Sequence, residues 1–429
     1  MDDAVYQYQH ARSPKELLFQ FTRCMVHFAV DDAQVKFCTR LQGKESWFLP
    51  FNKGYKDGAG NPPNPDGLMT NYLWKQILTK DMLSRIIENY ATLVEEKDEE
   101  TGKTRYKQIF PRYHQLTAVE SLLADVKKNG VGNRYLIQHS AGSGKSNSIA
   151  WLAHQLTGLE DAQGNLLVDS VIVVTDRVVL DKQIRDTIRQ FAQTRNIIAW
   201  AEHSGDLRKA IEDGRRIIIT TIEKLPYVLP EIGEDHKDRH FAIIIDEAHS
   251  SQNGKTAGTM NMTLSAIMSD PDMDNEDKIN AMCEGKKLLT NASYFAFTAT
   301  PKNKTLETFG TAYEDAGVIK HRPFHVYTMK QAIQEGFILD VLKYYTPIDS
   351  YYRLKKTVED DPMFDKKKAQ KKLRAFVENQ TFTIAQKADM MVSHFHEQVI
   401  AKGKIGGQAR AMISTSSIER CIEYYHAVN

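Results

Sequence analysis

The segment HSAGSGKS, residues 139–146, combines two glycines, a lysine and several hydroxyls in an order suited to holding an anion. The apolar run YLIQ (135–138) leads into it and helical sequence over 147–156 follows, so it reads as a strand, a tight loop and a helix N-terminus. In that setting Gly142 and Gly144 let backbone amides turn inward, the helix start adds its positive dipole, and Lys145 reaches terminal phosphate oxygens. Ala141 and Ser143 complete the loop, and Ser146 carries the hydroxyl that such loops offer to Mg²⁺. The ligand this predicts is a nucleoside triphosphate with Mg²⁺. The strict GxxxxGK form wants glycine where His139 stands, so the match is to the looser AGSGKS variant. A second apolar run, AIIID, delivers Asp246, Glu247, Ala248 and His249. There Asp246 is the type of residue that holds Mg²⁺, largely through water, and Glu247 the type that orients and deprotonates an attacking water. The same letters could cap a helix with acidic residues; their place after an apolar strand, downstream of a phosphate loop, favours the chemistry. A third run ends in FTATP (297–301), where Thr298 and Thr300 are placed to relay the nucleotide state.

These residues need a scaffold that brings several strand ends together. YLIQ, SVIVVT, RIIIT, AIIID and YFAFT are short, nearly uninterrupted apolar runs separated by helical stretches, the mark of parallel strands covered on both faces. Ligands of such doubly wound α/β sheets bind beyond the carboxyl ends of the strands. At 429 residues, 41% apolar and 26% charged, the chain is long enough for about three packed domains. Lys and Arg (56) nearly cancel Asp and Glu (55), so net charge is silent about nucleic acid, which a local groove could still bind. Cys24, Cys38, Cys283 and Cys421 have neither CxxC pairing nor histidines at zinc spacing. No apolar run approaches a membrane span and the acidic start lacks a signal peptide's basic region; a cytoplasmic protein without a membrane partner is expected. Before the phosphate loop, short strands are expected at 25–30 and 47–51, one or two amphipathic helices over 70–93, and a solvated hairpin or linker in the charged run 95–103. After the last strand, 320–354 reads as a connector and the basic run DKKKAQKKLRA (365–375) as a solvated helix face, with phosphate tracking as the alternative. A further strand is expected at RAMIST (410–415) and a helix over 418–425.

The phosphate loop, DEAH and TAT in this order resemble motifs I, II and III of superfamily 2 helicases and translocases. RYHQ (112–115) is similar to that superfamily's adenine-reading element, which implies nucleotide contacts for Arg112 and Gln115. TDR (175–177) and ITTIEKL (219–225) resemble its strand-contacting motifs, implying DNA contacts for Thr175, Arg177, Thr220 and Thr221; strand ends and caps are the plainer alternative. The superfamily also implies catalysis by Lys145, Asp246 and Glu247, and coupling through His249, Thr298 and Thr300.

FLPFNKG (48–54), GAGNP (58–62), DEAHSSQNG (246–254) and QAIQEGFILDVLKYY (331–345) resemble the restriction subunit of type I restriction-modification enzymes. That family joins a PD-ExK nuclease domain to two RecA-like lobes, moves duplex DNA with ATP, and works with modification and specificity subunits. The resemblance implies a RecA-like doubly wound parallel sheet of the P-loop NTPase kind, preceded by the end of an α/β nuclease domain. Residues 1–95 would be the nuclease remainder and a helical connector, 96–330 the first motor lobe, and 331–429 a connector and the start of the second lobe. DDAVYQY (2–8) resembles a segment that follows the family's nuclease carboxylates and lysine, with Gln7 or Gln9 in a QxxxY-like element whose tyrosine is not placed. RAMISTSSIERCIEYY (410–425) resembles the second lobe's first strand and helix. An internal piece of a longer chain, lacking nuclease chemistry and fast hydrolysis by itself, is therefore expected. Two other readings stay open: a different superfamily 2 helicase or remodeller, and a nucleotide-binding scaffold that never hydrolyses ATP.

Overall fold

In the computed structural model of the chain the described residues are 1–97, 102, 104–175, 184, 186–189, 198–201, 203–224, 236–246, 291–340, 381–401, 410–415 and 417–429. They fall into two compact units, Met1–Tyr345 and Thr346–Asn429. The first unit opens with a short helix, α1 (Asp2–Tyr6), and a small antiparallel sheet of β1 (His27–Val30), β2 (Val35–Cys38) and β3 (Leu49–Pro50). β2, four residues with a lysine in it, is too short to show a period in sequence. Helix α2 (Lys80–Asn89) starts where the Thr79 hydroxyl accepts from the Met82 amide. The expected helical stretch ends at Asn89, because Leu93 and Val94 join an antiparallel hairpin of β4 (Thr92–Lys97) and β5 (Thr104–Ile109). The charged run overlaps that hairpin.

The central sheet follows. After α3 (Tyr113–Asn129) come β6 (Arg134–His139), α4 (Lys145–Thr157), β7 (Ser170–Thr175), β8 (Ile198–Trp200), α5 (Ser204–Glu212), β9 (Ile217–Thr221), β10 (Phe241–Ile245) and β11 (Ala292–Thr298). Helix α6 (Asn303–Phe309), a hairpin of β12 (Thr311–Asp315) and β13 (Val318–Arg322), the strand β14 (His325–Tyr327) and helix α7 (Met329–Gln334) complete it. The strand order is β14-β6-β11-β10-β7-β9-β8, and every neighbouring pair is parallel. All five apolar runs read as strands lie in this sheet. β14 and β8, three residues each, are its edges; β14 falls inside what the sequence suggested was a connector.

Successive residues of each strand feed two different cores, as the two-residue strand period requires. Ile137, Val173, Ile219, Ile244 and Phe297 pack with α3 and α4, whereas Leu136, Ile172, Ile218, Ile243 and Tyr294 pack with α5 and α6. The first of these cores runs on without a break into the N-terminal stretch, through Phe37, Phe51, Tyr72, Ile86 and Tyr90. There Phe51 stands edge-on to Tyr113 and Tyr90 tilts against Trp151.

In the second unit the described elements include helices α8 (Thr381–Phe395) and α9 (Ile418–Val428), the latter capped by the Ser417 hydroxyl. The expected helix at 418–425 is present and extends further. The expected strand at 410–415 is not formed: those residues have no partner strand among the described residues, and the ladder bonds that define a strand are missing. The basic run 365–375 lies outside the described residues. Among the described residues no helix is long and apolar enough to cross a membrane.

Candidate nucleotide site

The parallel register places five strand ends along one edge of the sheet. The glycine-rich loop leaves β6, Thr298 ends β11, Asp246 follows β10, Thr175 ends β7 and Thr221 ends β9. β6 and β10 are separated by β11 alone, so the loop and Asp246 stand about two strand spacings, or roughly 10 Å, apart. Asp246 is buried, and its amide donates to Val174 O at 2.9 Å.

What shapes the loop is the start of α3. Arg112 Nη2 donates to Gly142 O (2.7 Å), His114 Nε2 donates to Ser143 O (3.0 Å) and Gln115 Nε2 donates to Gly144 O (2.9 Å). Three consecutive carbonyls are thus pulled to one side. In a trans peptide the following N–H points the opposite way, so the amides of Gly144 and Lys145 turn toward the open side of the loop, a concave arrangement suited to phosphate oxygens. Gly142 (φ +71°) and Gly144 (φ +77°) supply the left-handed geometry this needs. Lys145 and Ser146 open α4, whose N-terminus adds its dipole. The residues present therefore fit a nucleotide phosphate tail with Mg²⁺. A Cβ on Gly144 would lie 2.5 Å from Gln115 Nε2, in addition to its strained φ. Gly144→Ala is expected to lower unfolding stability by about 1–3 kcal/mol, measured by urea denaturation; an unchanged midpoint would mean that the loop does not depend on this geometry.

Arg112 is buried, with its guanidinium stacked on Phe337 at 4.0 Å, and Gln115 Oε1 accepts from the Arg112 amide at 2.9 Å, a side chain returning to the helix cap. Gln115 is thus already engaged on both ends of its amide. A second N–H and a second lone pair are the groups left to it for a base contact.

His139, the departure from the strict loop pattern, is fully buried. Its Nε2 lies 2.9 Å from His325 Nδ1, and His325 Nε2 lies 3.2 Å from Thr117 Oγ1. Because the Thr117 hydroxyl donates to Tyr113 O at 2.9 Å, it accepts from His325, which in turn accepts from His139. His114 stacks on Tyr327 at 3.8 Å and stands edge-on to His139. Burial first, then neighbouring positive groups, hold His114 and His139 well below the usual imidazole range, and burial brings His325 to about 4. All three are neutral at pH 7, so they add no positive charge to that of the Arg112 guanidinium bonded to Gly142 O.

Thr298 is buried and its hydroxyl accepts from the Thr300 amide at 3.3 Å; Thr300 itself is exposed. Thr175 and Thr220 are buried, joined by a hydrogen bond from Thr175 Oγ1 to Thr220 O at 3.5 Å, and Thr221 is buried beside them. Arg177, Glu247 and His249 lie outside the described residues. Sequence reasoning missed His325, Tyr327, Phe337 and Ile338, all of which touch the loop or its holders.

The SWI2/SNF2 ATPase family model matches residues 114–377. The chain belongs to the SWI2/SNF2 ATPase family. Among curated proteins, it is 27% identical over 235 residues to the endonuclease subunit of type I restriction enzyme SauMSSORF170P from Staphylococcus aureus strain MSSA476, a match covering 53% of this chain and 21% of that subunit. It is 31% identical over 159 residues to the C-terminal part of a putative type I restriction enzyme MpnIIP endonuclease subunit from Mycoplasma pneumoniae, covering 34% of this chain and 73% of the relative. The match thus spans about a fifth of the staphylococcal subunit's length. A solved fragment of a putative HsdR subunit of a type I restriction enzyme from Vibrio vulnificus covers 95% of this chain and 68% of its own at 14% identity, with a TM-score of 0.40. The sheet and loop are those of a RecA-like P-loop ATPase of superfamily 2, related at low identity to type I restriction endonuclease subunits.

Proposed function

We propose that this chain is the ATP-driven, duplex-DNA-translocating part of a type I restriction endonuclease subunit, which in the full complex with modification and specificity subunits takes part in cleaving unmodified DNA. The observation that carries the ATP half is the row of loop carbonyls held by Arg112, His114 and Gln115, which turns the loop amides outward on the same sheet edge as Asp246. The restriction half rests on the relatives, which are endonuclease subunits of such enzymes. In this reading residues 1–95 are the end of a nuclease domain, 96–330 the first motor lobe, and 331–429 a connector and the start of a second.

The loop amides and Lys145 bind the phosphate tail, and Arg112 and Gln115 hold the loop while Gln115 offers its remaining amide valences to adenine. Ser146 and Asp246 are the residues that would hold Mg²⁺, which when bound neutralises charge on the phosphates. Glu247 takes the proton of the attacking water. Thr298, Thr300 and His249 link that site to DNA, which runs along the edge beyond Thr175, Arg177, Thr220 and Thr221.

The test is steady-state ATP turnover with and without duplex DNA, by the intact subunit assembled with its partners. Glu247→Gln is expected to leave ATP binding in place and to lower turnover by about 10²- to 10⁴-fold, the usual worth of a positioned base. Turnover indifferent to both DNA and Glu247 would sink the motor reading.

A further inference from the structure

Two of the sequence segments that resemble restriction subunits have no part in the phosphate chemistry, yet residues 54–62 of the one meet residues 331–334 of the other. In the first, Tyr55 and Gly58 pair through Tyr55 N to Gly58 O (2.8 Å) and Gly58 N to Tyr55 O (2.9 Å), around Lys56 (φ +49°) and Asp57 (φ +60°). Two non-glycine residues in the left-handed region are costly, and persist where surroundings impose them. Helix α7 supplies those surroundings. Thr328 Oγ1 donates to Asp57 O (2.5 Å), Lys330 Nζ donates to Lys56 O (3.3 Å) and Gln334 Oε1 accepts from the Ala59 amide (2.7 Å). The approach is so close that a Cβ on Gly54 would lie 2.7 Å from Gln331 Oε1, and one on Gly58 2.5 Å from Gln334 Oε1.

From α7 the contacts continue to the phosphate loop along two routes. Gln331 Nε2 donates to Glu335 Oε1 (2.9 Å), the Tyr327 hydroxyl donates to Glu335 Oε2 (2.7 Å), and Tyr327 O accepts from the Ser140 amide (3.0 Å), the first amide after β6. Just beyond α7, Phe337 lies under the Arg112 guanidinium, and Ile338 Cγ2 would stand 3.2 Å from a Cβ on Gly142. The stretch 327–338 therefore meets the N-terminal turn through Thr328, Lys330 and Gln334, and reaches the start and middle of the phosphate loop through Tyr327 and Ile338 and its holder Arg112 through Phe337.

We propose that the turn at 54–61 and helix α7 form a clasp that positions the phosphate loop, with Gln331, Gln334 and Glu335 as positioning residues, and that clasp closure and nucleotide occupancy reinforce each other. A mere fastening of the N-terminal stretch needs no such route. Phe51, Tyr72 and Tyr90 already fasten it through the continuous apolar core, and a half-buried carboxylate costs more than an apolar contact unless its bonds place something. Coupling must also be reciprocal: if the clasp favours nucleotide binding, nucleotide must tighten the clasp by the same factor. This second half rests on the ATP reading; the positioning half does not.

The experiment uses the full chain, its Gln334→Ala variant and its Gln334→Glu variant, which keeps an oxygen for the Ala59 amide. Gln334 is exposed, so both variants are expected to fold, and far-UV circular dichroism checks this. Without nucleotide, amide hydrogen exchange over 140–146 should quicken about fivefold in Gln334→Ala, the worth of one ordinary hydrogen bond, and return toward the original rate in Gln334→Glu. With Mg²⁺ and a non-hydrolysable ATP analogue, exchange over 54–61 should slow in the original chain, and the analogue's Kd should rise by about the same factor in Gln334→Ala. Unchanged exchange over 140–146 in the alanine variant overturns the clasp. An analogue that binds without slowing exchange over 54–61 overturns the coupling and keeps the positioning. If the analogue does not bind while 140–146 still quickens, the ATP reading falls and the positioning role stands.

Discussion

A Lys145→Ala chain is expected to bind Mg²⁺-ATP about 10- to 100-fold more weakly than the original, the worth of a charged hydrogen bond to phosphate, with no loss of thermal stability. The two halves of that expectation have separate causes. Lys145 is the first residue of α4, where a helix already carries positive partial charge, so a cation there does nothing for the helix and alanine has the better helix propensity. Its presence at that position makes sense for an anion beyond the helix end. Titration with a fluorescent ATP analogue reads the affinity and a melting curve reads the stability. Equal affinity in the two chains would remove the phosphate loop from the proposed function, and a large fall in Tm would show Lys145 to be structural.

The central strands were legible because each is buried on both faces. SVIVVT and AIII need no polar alternation, and a run of that kind between helices has few other structures open to it. β8 and β14 were not, since three-residue edge strands such as His325–Tyr327 carry almost no period and take their identity from the neighbour they pair with. RAMIST failed for a related reason: its composition suits a strand, but pairing requires a partner, and none stands beside it among the described residues. In the site, the loop and Asp246 could be read from spacing because their chemistry is local to one strand end each. The holders of the loop could not. Arg112 and Gln115 were visible as a motif, but their bonds to Gly142 and Gly144 cross about 30 residues of chain. His139 looked like a flaw in a glycine pattern until His325, 186 residues away, was seen beside it.

That histidine cluster carries the other large expected effect, a steep loss of stability on mild acidification. His139 gives its Nε2 proton to His325, and His325 gives its own to Thr117. Protonating His325 at Nδ1 would break the first bond, and protonating His139 would add charge at Nδ1, a buried atom without a hydrogen-bond partner. His114 is likewise buried, with Arg112 close by. Each group has a folded-state pKa below its unfolded value, so between about pH 6.5 and 4 the unfolded chain holds more protons than the folded one, and stability falls as pH falls. Three such groups give a slope approaching about 4 kcal/mol per pH unit once the unfolded imidazoles are fully charged. His27 and His154, also held down by burial, act in the same sense. Glu335, raised by burial, acts in the opposite sense and offsets part of the slope, while Asp31 and Asp161, held low, contribute only below the window. Urea midpoints at pH 7.5, 6.5 and 5.5 measure the slope directly. Replacing His325 by asparagine lowers stability at every pH, but it removes one titrating group, so the slope should shrink by up to about 1.4 kcal/mol per pH unit. A stability that is flat from pH 7.5 to 5.5, or a slope that His325→Asn leaves untouched, would mean that these histidines are not held neutral behind the phosphate loop in solution.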